Sequence, residues 1–242
     1  MTAIKTARER AREELTREIK LEARRQLASE GAQRLSLRAV ARELGMASSA
    51  IYRYFPSRDE LLTALIIDAY TDLGDAADRA LAAAPAVPRA RWRVLCTAVR
   101  DWARAHPHEY ALVFGTPVPG YAAPQETIEP AARVPLALIG VAGTAQAAGE
   151  PVGGPLGAQL AAVTAQLAPG LAESVLARTA IAWTQLFGMI GFELFGHLVG
   201  TLDPADAFFG YAVEQMADFV GLGPPRRDAP RRRRPAAGAP RP

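Results

Sequence analysis

At 242 residues, half of them apolar, the chain is long enough to bury a substantial core and to hold one large domain or two small ones. A single cysteine excludes an intramolecular disulfide and a cysteine-rich metal site; residues 1–30, dense in Arg and Glu, lack the apolar run of a signal peptide, and a cytoplasmic protein is expected. The net charge of +3 conceals a division: residues 1–58 carry 13 Lys+Arg against 7 acids, residues 59–223 carry 8 against 17, and residues 224–242 carry 7 against 1. A basic head on an acidic body is the electrostatic footprint of a protein that presents one end to a polyanion.

Ala, Leu, Arg and Glu dominate, and no alternating Val/Ile/Thr run is long enough to found a sheet, so an all-α fold is expected. Residues 2–29 read as a helix with Ala11, Leu15, Ile19, Ala23 and Leu27 at four-residue spacing, stopped at Gly31. Residues 35–55 read as two short helices about a turn at Gly45. The next helix opens on Ser57-Arg-Asp-Glu60, a capping box in which Ser57 and Glu60 bond each other's backbone, and runs to Ala84, before Pro85 and Pro88. Helices follow at 89–105 and 108–115, then a Pro/Gly-rich loop over 115–124, then helices at 125–149, 157–167, 171–199 and 204–220. Residues 180–202 are the most apolar, but they carry Gln185, Glu193 and His197 and read as a buried helix rather than a membrane span. Residues 224–242 show no apolar pattern and are expected to be disordered.

The unit at 35–55 carries the chemistry. Ala41, Gly45 and Ile51 follow the pattern A-x3-G-x5-I. Ala41 is small where two helices cross. Gly45 can take the positive φ that ends the first helix. Ile51 anchors the second on Leu37, Val40 and Leu44. This is a helix-turn-helix arrangement. Ser36 is a fitting N-cap whose helix start lies near a phosphate. The outward face of the second helix offers Ala47, Ser48, Ser49, Arg53 and Tyr54. Ser and Arg bond base edges in the major groove, and Ala or Tyr touches thymine methyls. Arg38, Tyr52, Tyr54 and Arg58 suit phosphates, which position a protein without reading sequence.

The run Ile51-Tyr-Arg-Tyr-Phe-Pro-Ser-Arg-Asp-Glu-Leu-Leu resembles the signature of TetR-type transcriptional regulators, and the resemblance covers about residues 15–67 closely. It implies a homodimeric, all-helical regulator on a palindromic double-stranded DNA operator. It also implies a C-terminal domain responsive to a small-molecule effector, usually in a repressor of the bacterial cytoplasm. The family's usual DNA contacts fall here on Ser36, Arg38, Ser48, Ser49, Tyr52, Tyr54 and Arg58. The expected division is a DNA-binding domain at 1–58 (about 12–72 in the family's style), a regulatory and dimerising domain at 59–223, and a basic tail at 224–242.

The C-terminal half resembles a TetR class named for a Trp–His–Gly motif, through residues 106–121 and Trp183-Thr-Gln-Leu-Phe-Gly188. Phe187 stands where that motif has histidine, so no role of the histidine carries over. Helix 171–199 is apolar nearly all round, and the last helix has a wide apolar face. Gly188, Gly191, Phe195, Phe208, Val213 and Met216 are therefore expected at a four-helix interface between two copies. Trp102, His106, Tyr110, Phe114, Tyr121, Trp183, Phe187 and Phe192 are expected to line an effector pocket, with His106, Glu109 and Glu193 as polar anchors. No metal or cofactor is expected. The three histidines and Cys96 form no catalytic pattern, which weighs against an enzyme. The alternative is an architectural or non-ligand-responsive DNA-binding protein.

Overall fold

The computed structural model describes residues 6–144 and 150–223; the predicted basic tail lies outside the described residues. Among them the chain is wholly helical: α1 (Ala7–Glu30), α2 (Leu37–Glu43), α3 (Arg58–Ala83), α4 (Pro88–Ala105), α5 (Pro107–Phe114), α6 (Ile128–Ala142), α7 (Gly154–Leu167), α8 (Glu173–Leu194) and α9 (Asp206–Phe219). The reciprocal capping box forms at Thr6 and Glu9, which start α1, while Ser57 caps α3 by accepting from the Glu60 N–H at 3.1 Å. Ala11 is exposed, so the buried stripe of α1 begins later than its spacing predicts, at half-buried Leu15, and continues through Ile19, Ala23 and Leu27.

One predicted helix is not an α-helix. Residues 48–50 are turns and Ile51–Arg53 is a 3-10 turn. The bonds here are mostly i+3, Ala50 N–H to Ala47 O, Arg53 N–H to Ala50 O and Tyr54 N–H to Ile51 O, with one i+4 bond, Phe55 N–H to Ile51 O, at the end. The segment is short, small-residued and bounded by Gly45 and Pro56, so few i+4 bonds can propagate. Gly45, at φ +65°, ends α2; Met46 N–H bonds Ala41 O at 2.8 Å and Gly45 N–H bonds Arg42 O at 3.1 Å, a Schellman stop. The same device at Gly196, φ +79°, ends α8 five residues before the predicted limit. Helix α6 starts three residues later than predicted, after a 3-10 turn at Gln125–Thr127, and residues 145–149 of its predicted end lie outside the described residues.

Two hydrophobic cores result. The N-terminal core joins Ile19, Ala23 and Leu27 of α1 to Leu37, Val40, Ile51 and Phe55, and takes Leu61, Leu62 and Leu65 from α3. The C-terminal core takes Ala69, Leu73 and Ala77 from the same helix and adds α4, α6, α8 and α9. The expected boundary at residue 58 thus falls at the start of a helix that both cores share. Helix α8 is long and apolar enough to cross a bilayer by length and composition, yet it packs on α6, α7 and α9 and buries one face in this core.

An ion cluster with a buried centre ties α4 to α8 and α9. Arg100, 6% exposed, donates to Glu193 at 2.6 and 2.7 Å and to Asp206 at 2.8 Å, with Phe209 beneath its guanidinium at 4.6 Å. Breaking a buried pair strands the remaining charge, so Arg100→Met is expected to cost about 3 kcal/mol in urea unfolding. Arg100→Met/Glu193→Leu, which removes the two shielded charges and leaves only Asp206, 63% exposed, is expected to recover more than half of that loss.

Candidate DNA-reading surface and internal cavity

Ser36 caps α2: its Oγ accepts from the Ala39 N–H at 3.4 Å, and its O–H stays a donor for an outside group. Arg38 is exposed in the first turn of α2. Ala47, Ser48 and Ser49 are exposed ahead of the 3-10 turn, Arg53 is exposed within it, and Tyr52 is 41% exposed. Ile51, fully buried among them, fixes this surface to the core. A tight turn presenting Ser and Arg supplies the donors and acceptors that base edges and phosphates take.

Two of the expected contacts are placed otherwise. Arg58 turns its guanidinium onto the chain: Nε donates to Leu35 O at 3.1 Å, and Nη2 donates to Ala32 O at 2.9 Å and Gln33 O at 3.3 Å. It therefore braces the entry to α2, bonding carbonyls in and just after the 3-10 turn Ala32–Arg34 that precedes that helix. Tyr54 is half-buried on the N-terminal core, with the Arg12 guanidinium 5.5 Å from its ring centroid. Arg12 also donates Nη2 to Arg53 O at 3.1 Å and so clasps the end of the reading segment. Nothing in the local pattern singled out Arg12, which lies 41 residues from its partner.

Behind the head lies a cavity of about 600 Å³, within the usual range for small-molecule sites, bounded by α3, α5, the loop over 115–124, α6 and α8. Phe114, Tyr121, Trp183 and Phe187 line it, as expected. Their rings pack closely: Phe114 and Phe187 centroids are 4.3 Å apart, and Tyr70 meets Phe114 edge-on at 5.8 Å. The other four expected residues do not line it. Tyr110 is buried behind the wall, donating its hydroxyl to Phe187 O at 2.5 Å, and burial pushes its phenol up. Trp102 is buried in the core and stacks on His106, whose Nδ1 lies 3.0 Å from Trp102 O. Phe192 is 58% exposed on the outer face of α8. Nor do Glu109 and Glu193 anchor the cavity: Glu193 belongs to Arg100, and Glu109 lies 3.8 Å from Arg24 of α1. Sequence reasoning missed Ile66 and Tyr70 of α3 and the apolar face of α6. Tyr70 carries a usable signal, since it lies one turn past Ile66. Burial raises its phenol, and so does Tyr121.

The expected interface residues divide. Gly188 and Phe195 are exposed on α8 and Phe208 is half-buried on α9. Val213 and Met216 are each 1% exposed in the chain's own core, and Gly191 is buried against Tyr110 and Phe195. They are spent on intramolecular packing. The apolar surface left open on these two helices includes Ile181 and Phe192 of α8, Phe195 at its C-cap, and Tyr211 and Phe219 of α9.

Comparison with known proteins bears on both halves of the chain. Residues 21–65 match the model for bacterial regulatory proteins of the tetR family, and residues 92–216 match the tetracyclin repressor-like C-terminal domain. HTH-type transcriptional regulator Rv1816 of Mycobacterium tuberculosis is 39% identical over 201 residues, covering 77% of this chain and 83% of the relative. Mb1846 of Mycobacterium bovis, also an HTH-type transcriptional regulator, matches to the same extent, 39% over 201 residues. Among solved structures, the regulatory protein SCO4313 superposes with a TM-score of 0.75 at 34% identity, covering 88% of this chain and 100% of the other. A Rhodococcus sp. RHA1 protein of unknown function superposes at 0.60 with 25% identity, over 85% of this chain and 93% of the other. With both halves matched in order, and a capped α2 leading through Gly45 into an exposed Ser/Arg turn, this chain belongs to the TetR family of DNA-binding transcriptional regulators.

Proposed function

We propose that the chain acts as a homodimer in the cytoplasm, as a repressor that a small molecule releases from a palindromic operator. The observation that carries this reading is that the cavity and the DNA-reading head share walls. Ile66 of α3 and Val118 of the loop line the cavity, and Val118 is also part of the N-terminal core. An occupant that prefers one arrangement of those walls must bias the head, and DNA must bias the cavity by the same factor. The tetracyclin repressor-like C-terminal match supports the repressor sign. The open apolar surface of α8 and α9 supports dimerisation about a two-fold axis, since a patch of that kind on a regulator marks a protein interface. Ser36, Arg38, Ala47, Ser48, Ser49, Tyr52 and Arg53 are the residues proposed to face DNA.

Selected-oligonucleotide binding with the purified protein tests the reading: a discrete palindrome supports it, and unbounded coating of any duplex refutes it. On the selected duplex, Arg53→Ala is expected to cost about 1–3 kcal/mol and relax preference at one base pair. Arg38→Ala is expected to weaken all duplexes alike and to lower the salt slope by about one. Fluorescence anisotropy across a salt series separates the two. Light scattering of the full chain is expected to give twice 25.8 kDa, and Ile181→Glu/Phe192→Glu to give the single mass with the fold intact by circular dichroism.

A further inference from the structure

Among the described residues, the cavity wall contains no Lys, Arg, His, Asp or Glu. The charged residues of α6 turn elsewhere: Arg133 pairs with Asp75 and Asp78 of α3, and Glu129 is exposed. The space is half open, and an ion seated against this wall would lose part of its water and find no countercharge. A neutral apolar molecule meets aromatic and aliphatic surface throughout. The wall does offer hydroxyls, and one is singular. The Tyr121 hydroxyl lies 2.9 Å from Thr63 Oγ1, and Thr63 is a buried residue of α3 in the stretch that packs in the N-terminal core. Three residues earlier on the same loop, Val118 is buried in that core.

Resting on the reading of this cavity as the effector site, we propose that it takes an uncharged, largely apolar molecule carrying one hydrogen-bonding group, and that Tyr121 reads that group. In this proposal Tyr121 has one O–H to give, and a ligand oxygen that accepts it takes it from Thr63. Releasing that bond frees the loop that carries Val118, so recognition of the polar group and disturbance of the head are one event.

Three probes of one shape test this on the full chain: 2-naphthol, 2-naphthoate and naphthalene, followed by quenching of Trp183, with Trp183→Phe as the optical control. The expectation is that 2-naphthol binds at least about tenfold more tightly than either of the others. Ala131→Trp, which fills the cavity, is expected to abolish binding. Tyr121→Phe is expected to bring 2-naphthol and naphthalene to equal affinity while naphthalene binding is kept. Binding of 2-naphthoate as tight as that of 2-naphthol would place an anion at the first turn of α6 and overturn the proposal. So would a 2-naphthol preference that survives Tyr121→Phe, and so would no binding by any of the three. If the preference holds but 2-naphthol leaves affinity for the selected duplex unchanged, the ligand class stands and the effector reading of the cavity fails.

Discussion

Helix α3 lies in both hydrophobic cores at once, and the rest of the molecule is arranged around that fact. Its 26 residues run about 39 Å at the usual rise. Leu61, Leu62 and Leu65 at one end hold α1, α2 and Ile51; Leu73 and Ala77 toward the other lie in the core with α4 and α6. A hydrogen-bonded helix does not kink sharply without a proline, a glycine pair or an inserted group; α3 has no proline between Arg58 and Ala83, and its one glycine, Gly74, lies under the Arg133 side chain. The reading head is therefore not a bead on a flexible string. Its orientation is set by a rod whose far half is clamped in the regulatory body.

Side ties keep the head from swivelling about that rod. Asp68 on α3 receives Lys20 and Arg24 of α1, each at 2.8 Å, and Arg24 also lies 3.8 Å from Glu109 of α5. These groups are about three-quarters shielded, so each pair is worth more than a surface ion pair and less than a buried one. On the other side the loop over 115–124 sets Val118 into the head's core and Tyr121 against Thr63. The regulatory body thus holds the head through a rod, an ion cluster and a loop. The rod, the loop and α5, which carries Glu109 and sets Leu112 against the head's core, also bound the cavity.

The local chemistry of the head could be read from the chain because each of its signals acts over a few residues. Ser36 and Ser57 cap, Gly45 stops a helix, and Ile51 anchors. The 3-10 character of the reading segment was not legible, because a helix and a chain of i+3 turns bury Ile51 equally well. The inward turn of Arg58 was hidden for a different reason. Its partners Ala32, Gln33 and Leu35 are backbone carbonyls, and a backbone acceptor leaves no mark in the sequence. In the body the difficulty was excess signal. Helix α8 is apolar almost all round, so aromatic identity could not say which side faces inward. Angular arithmetic could have removed one error. Trp183 and Phe192 are nine residues apart, and at about 100° per residue they point to opposite sides of one helix. A single cavity cannot take both.

That opposition has a mechanical consequence. Trp183 and Phe187 face the cavity, while Ile181, Phe192 and Phe195 are open to the outside, so α8 separates an internal site from an apolar outer surface. It is also fastened at its end: Glu193 is gripped by Arg100 of α4, and Gly196 turns the chain immediately after. A helix fixed at one end and packed on one side accommodates a bulky occupant more readily by tilting than by sliding. In a two-fold dimer built on that outer surface, a tilt of α8 changes the angle between the subunits. The two heads follow through α4, α6 and α3, which pack on one another. Major grooves a helical turn apart tolerate little change in the separation of two readers. On that proposed reading a tilt at Phe187 reaches the heads through a lever, since Ile66, which lines the cavity, lies eight residues, about 12 Å along α3, from Arg58 at its head end.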